Sequence, residues 1–370
     1  MNYRTPFQVV KSLTLSLMLL GLTFCTSTPI EKARVQADKD WAKVIADVEK
    51  YQELRRLMLQ GPSPNQFPTP PQKVQASEAE RAPVMELGKP SKDAVTGREA
   101  EGAPVIELGK PSRDAVTGGE FVFVKGGCFQ MGDTFGDGDK DEKPQHEVCV
   151  SDFYMGAYEV TVGEFGKFVD ATGYKTEAEK GDGCFTLTGN KWEKKEDANW
   201  KNPGFPINER HPVGCVSWND AVAYAEWLKG KTGKGYRLPR EGEWEYAARG
   251  GGKREKWAGA SNEKELGEYA WYSGNSGVST HLVGEKKPNE LGLYDMAGNV
   301  WEWCGDWYEG NYYMVSPRDN PGGPNHGSAR IVRGGSSGND ARSARGTNRE
   351  KGSPSGRTPL IGFRLVFPSG

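Results

Sequence analysis

Gly292-Leu293-Tyr294-Asp295-Met296-Ala297-Gly298-Asn299-Val300-Trp301-Glu302-Trp303 gathers two tryptophans, a tyrosine and two acids into one short stretch. Side chains alternate between the faces of a strand. A strand here puts Trp301 and Trp303 on one face and Glu302 on the other. Burying an indole removes a large apolar area from water, so the pair anchors a core. Asp295 and Glu302 then stand beside a glycine turn whose carbonyls are free to point inward. Hard cations such as calcium take that mixture of carboxylate and carbonyl oxygen. A tight turn entering a core strand, with no metal, fits the same spacing.

Outward from this stretch, residues 120–370 read as one folded domain. Phe121 to Val124 and His146 to Tyr154 read as strands. Thr161 and Glu164 form a capping box opening a helix whose Val162, Phe165, Phe168 and Val169 share a face. Ser217 caps a second helix, Ala221 to Lys229, ending at Gly230, and a third runs from Arg240 to Ala248. Residues 173–215 read as irregular, and short strands in glycine-rich loops follow Ala270. Helices and strands are segregated, which gives an α+β class with high loop content.

The first 119 residues read differently. Arg4 and Lys11 precede an apolar run, Leu13 to Phe24, that stops at Cys25. That run is too short to span a bilayer comfortably and suits a signal peptide over residues 1–25. Leu22 to Cys25 resembles a bacterial lipoprotein box, so Cys25 is the expected lipidation site. Phe24 departs from the small residue usual there, which keeps secretion and a retained anchor as alternatives. Residues 26–61 carry Trp41, Val44, Ile45, Val48, Tyr51, Leu54 and Met58 at helical spacing, an amphipathic helix stopped by Gly61-Pro62. Residues 62–119 are a Pro-rich linker in which the 16-residue segment Ala82 to Gly97 returns as Ala103 to Gly118 with two changes. Two copies are too few for a solenoid, so they read as a spacer or a docking motif.

The net charge of −2 argues against nucleic acid as a partner. Protein, peptide or glycan ligands remain, with the membrane reached through a lipid anchor. His146, His211, His281 and His326 are not spaced as a metal-ligand pair. Seven arginines from Arg330 onward face only Asp340 and Glu350 locally, so they are paired with distant acids or line a groove for an anion or peptide. Arg342, Arg345 and Arg349 are the groove candidates.

Several segments, in order, carry a resemblance. They include Phe129-Gln130-Met131-Gly132, Tyr158-Glu159-Val160-Thr161, Val216 to Ala221, Arg237-Leu238-Pro239, Glu243 to Arg249, Gly292 to Trp303, Arg333 to Ser336 and Gly362-Phe363-Arg364. Together they resemble the formylglycine-generating enzyme (sulfatase-modifying factor) family. The resemblance implies a variant of the C-type-lectin fold, low in regular secondary structure. It implies a structural calcium held by the carboxylates of Asp295 and Glu302 and the carbonyls of Gly298 and Val300. A second calcium site near residues 270–284 is not carried over, since no acid appears there before Glu285. The family's copper(I) cysteine pair would fall at Asn339 and Ala344, and Ser336 to Gly346 holds no cysteine, so copper is not expected. The inferred fold pairs Cys128 with Cys149 and Cys184 with Cys215, leaving Cys304 free. Two functions follow: a calcium-stabilised, exported binding or envelope protein, or an oxidoreductase related to the family's enzymes and acting on protein cysteine or another substrate.

Overall fold

The computed structural model describes residues 111–188, 191–277 and 279–369. The signal segment with Cys25, the helix over 26–61 and the first repeat copy lie outside the described residues.

The domain begins before Glu120. Strand β1 (Ser112–Arg113) pairs antiparallel with β2 (Glu120–Val124), so the end of the second repeat copy belongs to the fold and not to a linker. The cause is local. The Asp114 carboxylate accepts from the N–H groups of Val116 at 2.9 Å and Thr117 at 2.8 Å, closing a turn that Gly118 completes with φ at +85°. The expected strand from His146 to Tyr154 is two strands. β4 (His146–Val150) pairs with β3 (Gly127–Met131), while β5 (Phe153–Gly156) joins β2 in another sheet.

Helix α1 (Val162–Thr172) starts at its Thr161–Glu164 capping box and buries Phe165, Phe168 and Val169. After a single turn, α2 (Glu177–Lys180), the region expected to be irregular contains a hairpin of β6 (Cys184–Thr188) and β7 (Lys191–Lys195). Helix α3 (Trp218–Thr232) runs past Gly230, because Gly233 takes the left-handed cap. Helix α4 (Glu241–Ala248) is buried along its whole length, and α5 (Glu263–Tyr269) is capped by Asn262.

Two four-stranded sheets organise the domain. The first orders β1-β2-β5-β12, with β12 (Val366–Pro368) antiparallel to β5. The second orders β10-β9-β8-β11, formed by β8 (Trp301–Trp307), β9 (Arg330–Arg333), β10 (Glu350–Gly352) and β11 (Ile361–Gly362). This second sheet is covered on both sides. Trp301, Trp303 and Val332 face one apolar cluster with Phe165, Tyr224 and Phe363. Cys304 and Ile331 face the other with Trp244, Met296 and Leu293. The alternation expected for Trp301, Glu302 and Trp303 is therefore present with both faces buried, and Glu302 lies inside the protein. Disulfides join Cys128 to Cys149 and Cys184 to Cys215, and Cys304 is a buried free thiol.

Candidate functional site

The turn ahead of β8 is built from backbone few side chains tolerate. Asp295, Gly298 and Asn299 all have positive φ. A Cβ at Gly298 would meet the Trp271 carbonyl oxygen at 2.0 Å, so only glycine fits. The turn holds Asp295 fully inside the protein, where its Oδ2 accepts from the Gly284 N–H at 2.7 Å and its Oδ1 has no partner. Burial pushes its carboxyl up to about 6, against the pull of that N–H and of Arg364.

Glu302 does not stand as a free metal ligand. Both its oxygens are held by Arg364, at 2.7 Å from Nε and 2.6 Å from Nη2, and Trp244 Nε1 donates to it at 2.7 Å. A third acid, Glu159, enters from the segment after β5 and accepts from Asn299 Nδ2 at 2.7 Å and the Val300 N–H at 3.1 Å. Burial, then Asp295 and Glu302, push its carboxyl well up. Among the described residues these three acids do not bring a trio of ligand atoms within 4.8 Å. Of the expected set of Asp295, Gly298, Val300 and Glu302, Glu302 accepts from Arg364 with both oxygens, and Asp295 keeps one oxygen without a partner. Among these three acids, Asp295 Oδ1 is the oxygen left buried without a partner, the position open to a hard cation.

The C-terminal arginines take the paired arrangement. Arg345 is buried with both terminal nitrogens on Glu142 at 2.7 Å. Arg349 is buried on Glu241 at 2.7 and 3.0 Å. Arg333 contacts Glu245, which also accepts from Arg249 at 2.9 Å. The groove expected along Arg342, Arg345 and Arg349 does not form, because two of these guanidiniums are used inside the fold. Arg342 is the exposed one, at 2.7 Å from Asp139. It borders a cavity of about 380 Å³ with Lys256, Trp257, Glu263 and Asp340.

Asn339 and Ala344, where the resemblance sets the copper pair, lie in a network of the fold's own. Asn339 Oδ1 accepts from Trp301 Nε1 at 2.9 Å and from the Ser336 hydroxyl. Ala344 is buried, with Gly335 so close that a Cβ there would meet Ala344 Cα at 2.9 Å. His146 and His281 each contact a backbone carbonyl, and His211 accepts from the Asn208 N–H. His281 also stacks on Trp271 with ring centroids 3.7 Å apart.

The sequence profile of the sulfatase-modifying factor enzyme 1-like domain matches residues 107–368. The chain belongs to the formylglycine-generating enzyme (sulfatase-modifying factor) family. The formylglycine-generating enzyme of Streptomyces coelicolor is 38% identical, over 58% of this chain and 77% of that enzyme. The inactive C-alpha-formylglycine-generating enzyme 2 of Bos taurus is 33% identical, over 67% of this chain and 88% of that protein. Among solved structures, PvdO from Pseudomonas aeruginosa is 30% identical with a TM-score of 0.59, over 71% of this chain and 99% of that one. The fold is the family's α+β, C-type-lectin-like variant.

Two residues of this family member's acid cluster escaped the sequence reading as site residues. Glu159 and Arg364 lie in family segments, yet nothing local assigned them a role. The available signal was a single charged residue flanked by apolar ones: Glu159 between Tyr158 and Val160, Arg364 between Phe363 and Leu365.

Proposed function

We propose that this chain is a binding member of the family, calcium-stabilised and displayed at the cell envelope, and not a copper oxidase. The thiol inventory carries the reading. Copper(I) activation needs a pair of soft thiolates open to oxygen and substrate. Among the described residues, four cysteines are in disulfides and Cys304 alone is free. Burial, with Asp306 nearby, pushes the Cys304 thiol well up, so it is a poor thiolate source. Asn339, at one matched position, already accepts from Trp301 and Ser336. The likeness to an inactive relative of Bos taurus supports the same reading.

Asp295, with the carbonyls of Gly298 and Val300, would hold the calcium, while Glu302 positions Arg364 behind it. The ion supplies a structural cross-link there. The cavity beside Lys256, Arg342, Glu263 and Asp340 offers charged groups of both signs to an extended peptide or glycan. Export and lipidation at Cys25 rest on the charged, apolar and cysteine pattern of the first 25 residues.

The test mixes the purified chain with copper(I), oxygen and a peptide bearing a Cys-x-Pro-x-Arg site, followed by mass spectrometry. The expected result is no aldehyde above a metal-only control. Catalytic aldehyde formation overturns the proposal and establishes the oxidoreductase reading, which the 38% identity to the Streptomyces enzyme favours.

A further inference from the structure

The β3–β4 hairpin has one face in the core and one in solvent. Phe129, Met131, Val148 and Val150 point inward. Cys128, Gln130, Glu147 and Cys149 take the alternate positions and share the outer face. The register sets Cys128 opposite Cys149 and Gln130 opposite Glu147. The two sulfurs and the Glu147 carboxylate consequently lie within 4.8 Å of one another. Arg318 reaches over two of them, donating to Glu147 Oε2 at 3.0 Å and to Cys128 Sγ at 3.5 Å.

The second disulfide is a control within the same molecule. Cys184 and Cys215 are fully buried. Thiol–disulfide exchange needs a thiolate to reach a sulfur, and it is favoured where the departing thiolate is stabilised. Cys128 is exposed to attack, and when Cys149 is attacked instead the departing Cys128 thiolate is held by the Arg318 guanidinium.

We propose that Cys128, Cys149 and Glu147 form a site for a borderline divalent cation, with zinc as its type, unmasked by reduction. A dithiol reductant supplies two electrons and two protons. Its own sulfurs join in a disulfide, the Cys128–Cys149 bond breaks, and both cysteines become thiols. The cation then displaces the two thiol protons and the exposed Arg318 guanidinium, which keeps Asp319 as its partner, and takes two thiolates and the Glu147 carboxylate, with water as fourth ligand. The two Cα atoms stand 3.9 Å apart across the register, so both thiolates leave the same face of the hairpin side by side. The donor set is too soft for calcium and separates this site from the one proposed at Asp295.

The experiment uses the full chain carrying Cys25→Ser, reduced with a dithiol, freed of reductant without oxygen, and titrated with cobalt(II) and then zinc(II). The reduced protein gains a thiolate-to-cobalt charge-transfer band that zinc abolishes, and the oxidised protein shows none. Cys128→Ser and Cys149→Ser lose the band. Glu147→Gln, which keeps its disulfide and the oxidised circular dichroism spectrum, binds at least about tenfold more weakly after reduction. Absence of the band in the reduced protein, its survival in Cys128→Ser, or unchanged affinity in Glu147→Gln overturns the proposal.

Discussion

Helix α4 and the turn before β8 both bury carboxylates against the β8–β9 sheet, with opposite electrostatic outcomes. On α4, Glu241 and Glu245 meet Arg249, Arg333 and Arg349. Burial opposes the Glu241 charge, but Arg349 and Arg333 outweigh it and hold the carboxyl below the usual range. At the turn, Asp295, Glu159 and Glu302 share Arg364, and the carboxyls of Asp295 and Glu159 are pushed up. Burial is the same in both places. The number of cations within hydrogen-bonding reach differs, and with it the direction in which the carboxyls of Glu241 and Asp295 are moved.

The comparison breaks most visibly at the matched cluster. Arg349→Leu leaves Glu241 buried beside Arg333 Nε at 3.7 Å, without its bidentate partner. Urea denaturation should show a loss of about 3–5 kcal/mol, the cost of stranding a buried charge.

Asp295→Asn should move stability the other way in chelator. The folded pKa of about 6 exceeds the ordinary 3.8, so the folded state binds this proton more tightly than the unfolded state. The associated stability is fully present below pH 3.8 and is lost as pH rises through about 6. With chelator present, acidifying from neutral pH toward pH 5 therefore raises the melting temperature of the wild type. Asn should recover up to about 3 kcal/mol at neutral pH. A lower melting point in the variant would show that the carboxylate is not surplus.

Calcium itself is the next test. A hundredfold excess over Kd adds about 2.7 kcal/mol of native-state stability. Thermal melting should show that gain in the wild type and its absence in Asp295→Asn. The smallest expected effect is at Arg342. Its pair with Asp139 is exposed, so Arg342→Ala should change stability by under about 1 kcal/mol while weakening any ligand of the neighbouring cavity. Melting temperature and binding measured on the same variant separate the two.

Local chemistry made part of this legible in the sequence. The Thr161 and Ser217 capping boxes and the shared face of Trp301 and Trp303 involve neighbours in the chain. Register made a further part legible only through the fold, as with the hairpin that sets Cys128 against Cys149. The partner of Glu302 stands 62 residues away and that of Glu142 203 residues away, and no spacing rule reaches so far. The seven C-terminal arginines therefore read equally well as a groove or as a set of pairs. The Asp114 turn was hidden for another reason: its sequence occurs twice, and repetition suggested a spacer.

The internal arginines also impose an order in time. Glu142, Glu241, Glu245 and Glu302 all leave the ribosome before the arginines that pair with them, Arg345, Arg349, Arg333 and Arg364. Until the stretch from Arg333 onward has emerged, the earlier part of the chain carries acids it has no means of burying. A nascent or partly threaded domain is thus kept from settling into its core, and folding waits for the last segment to arrive.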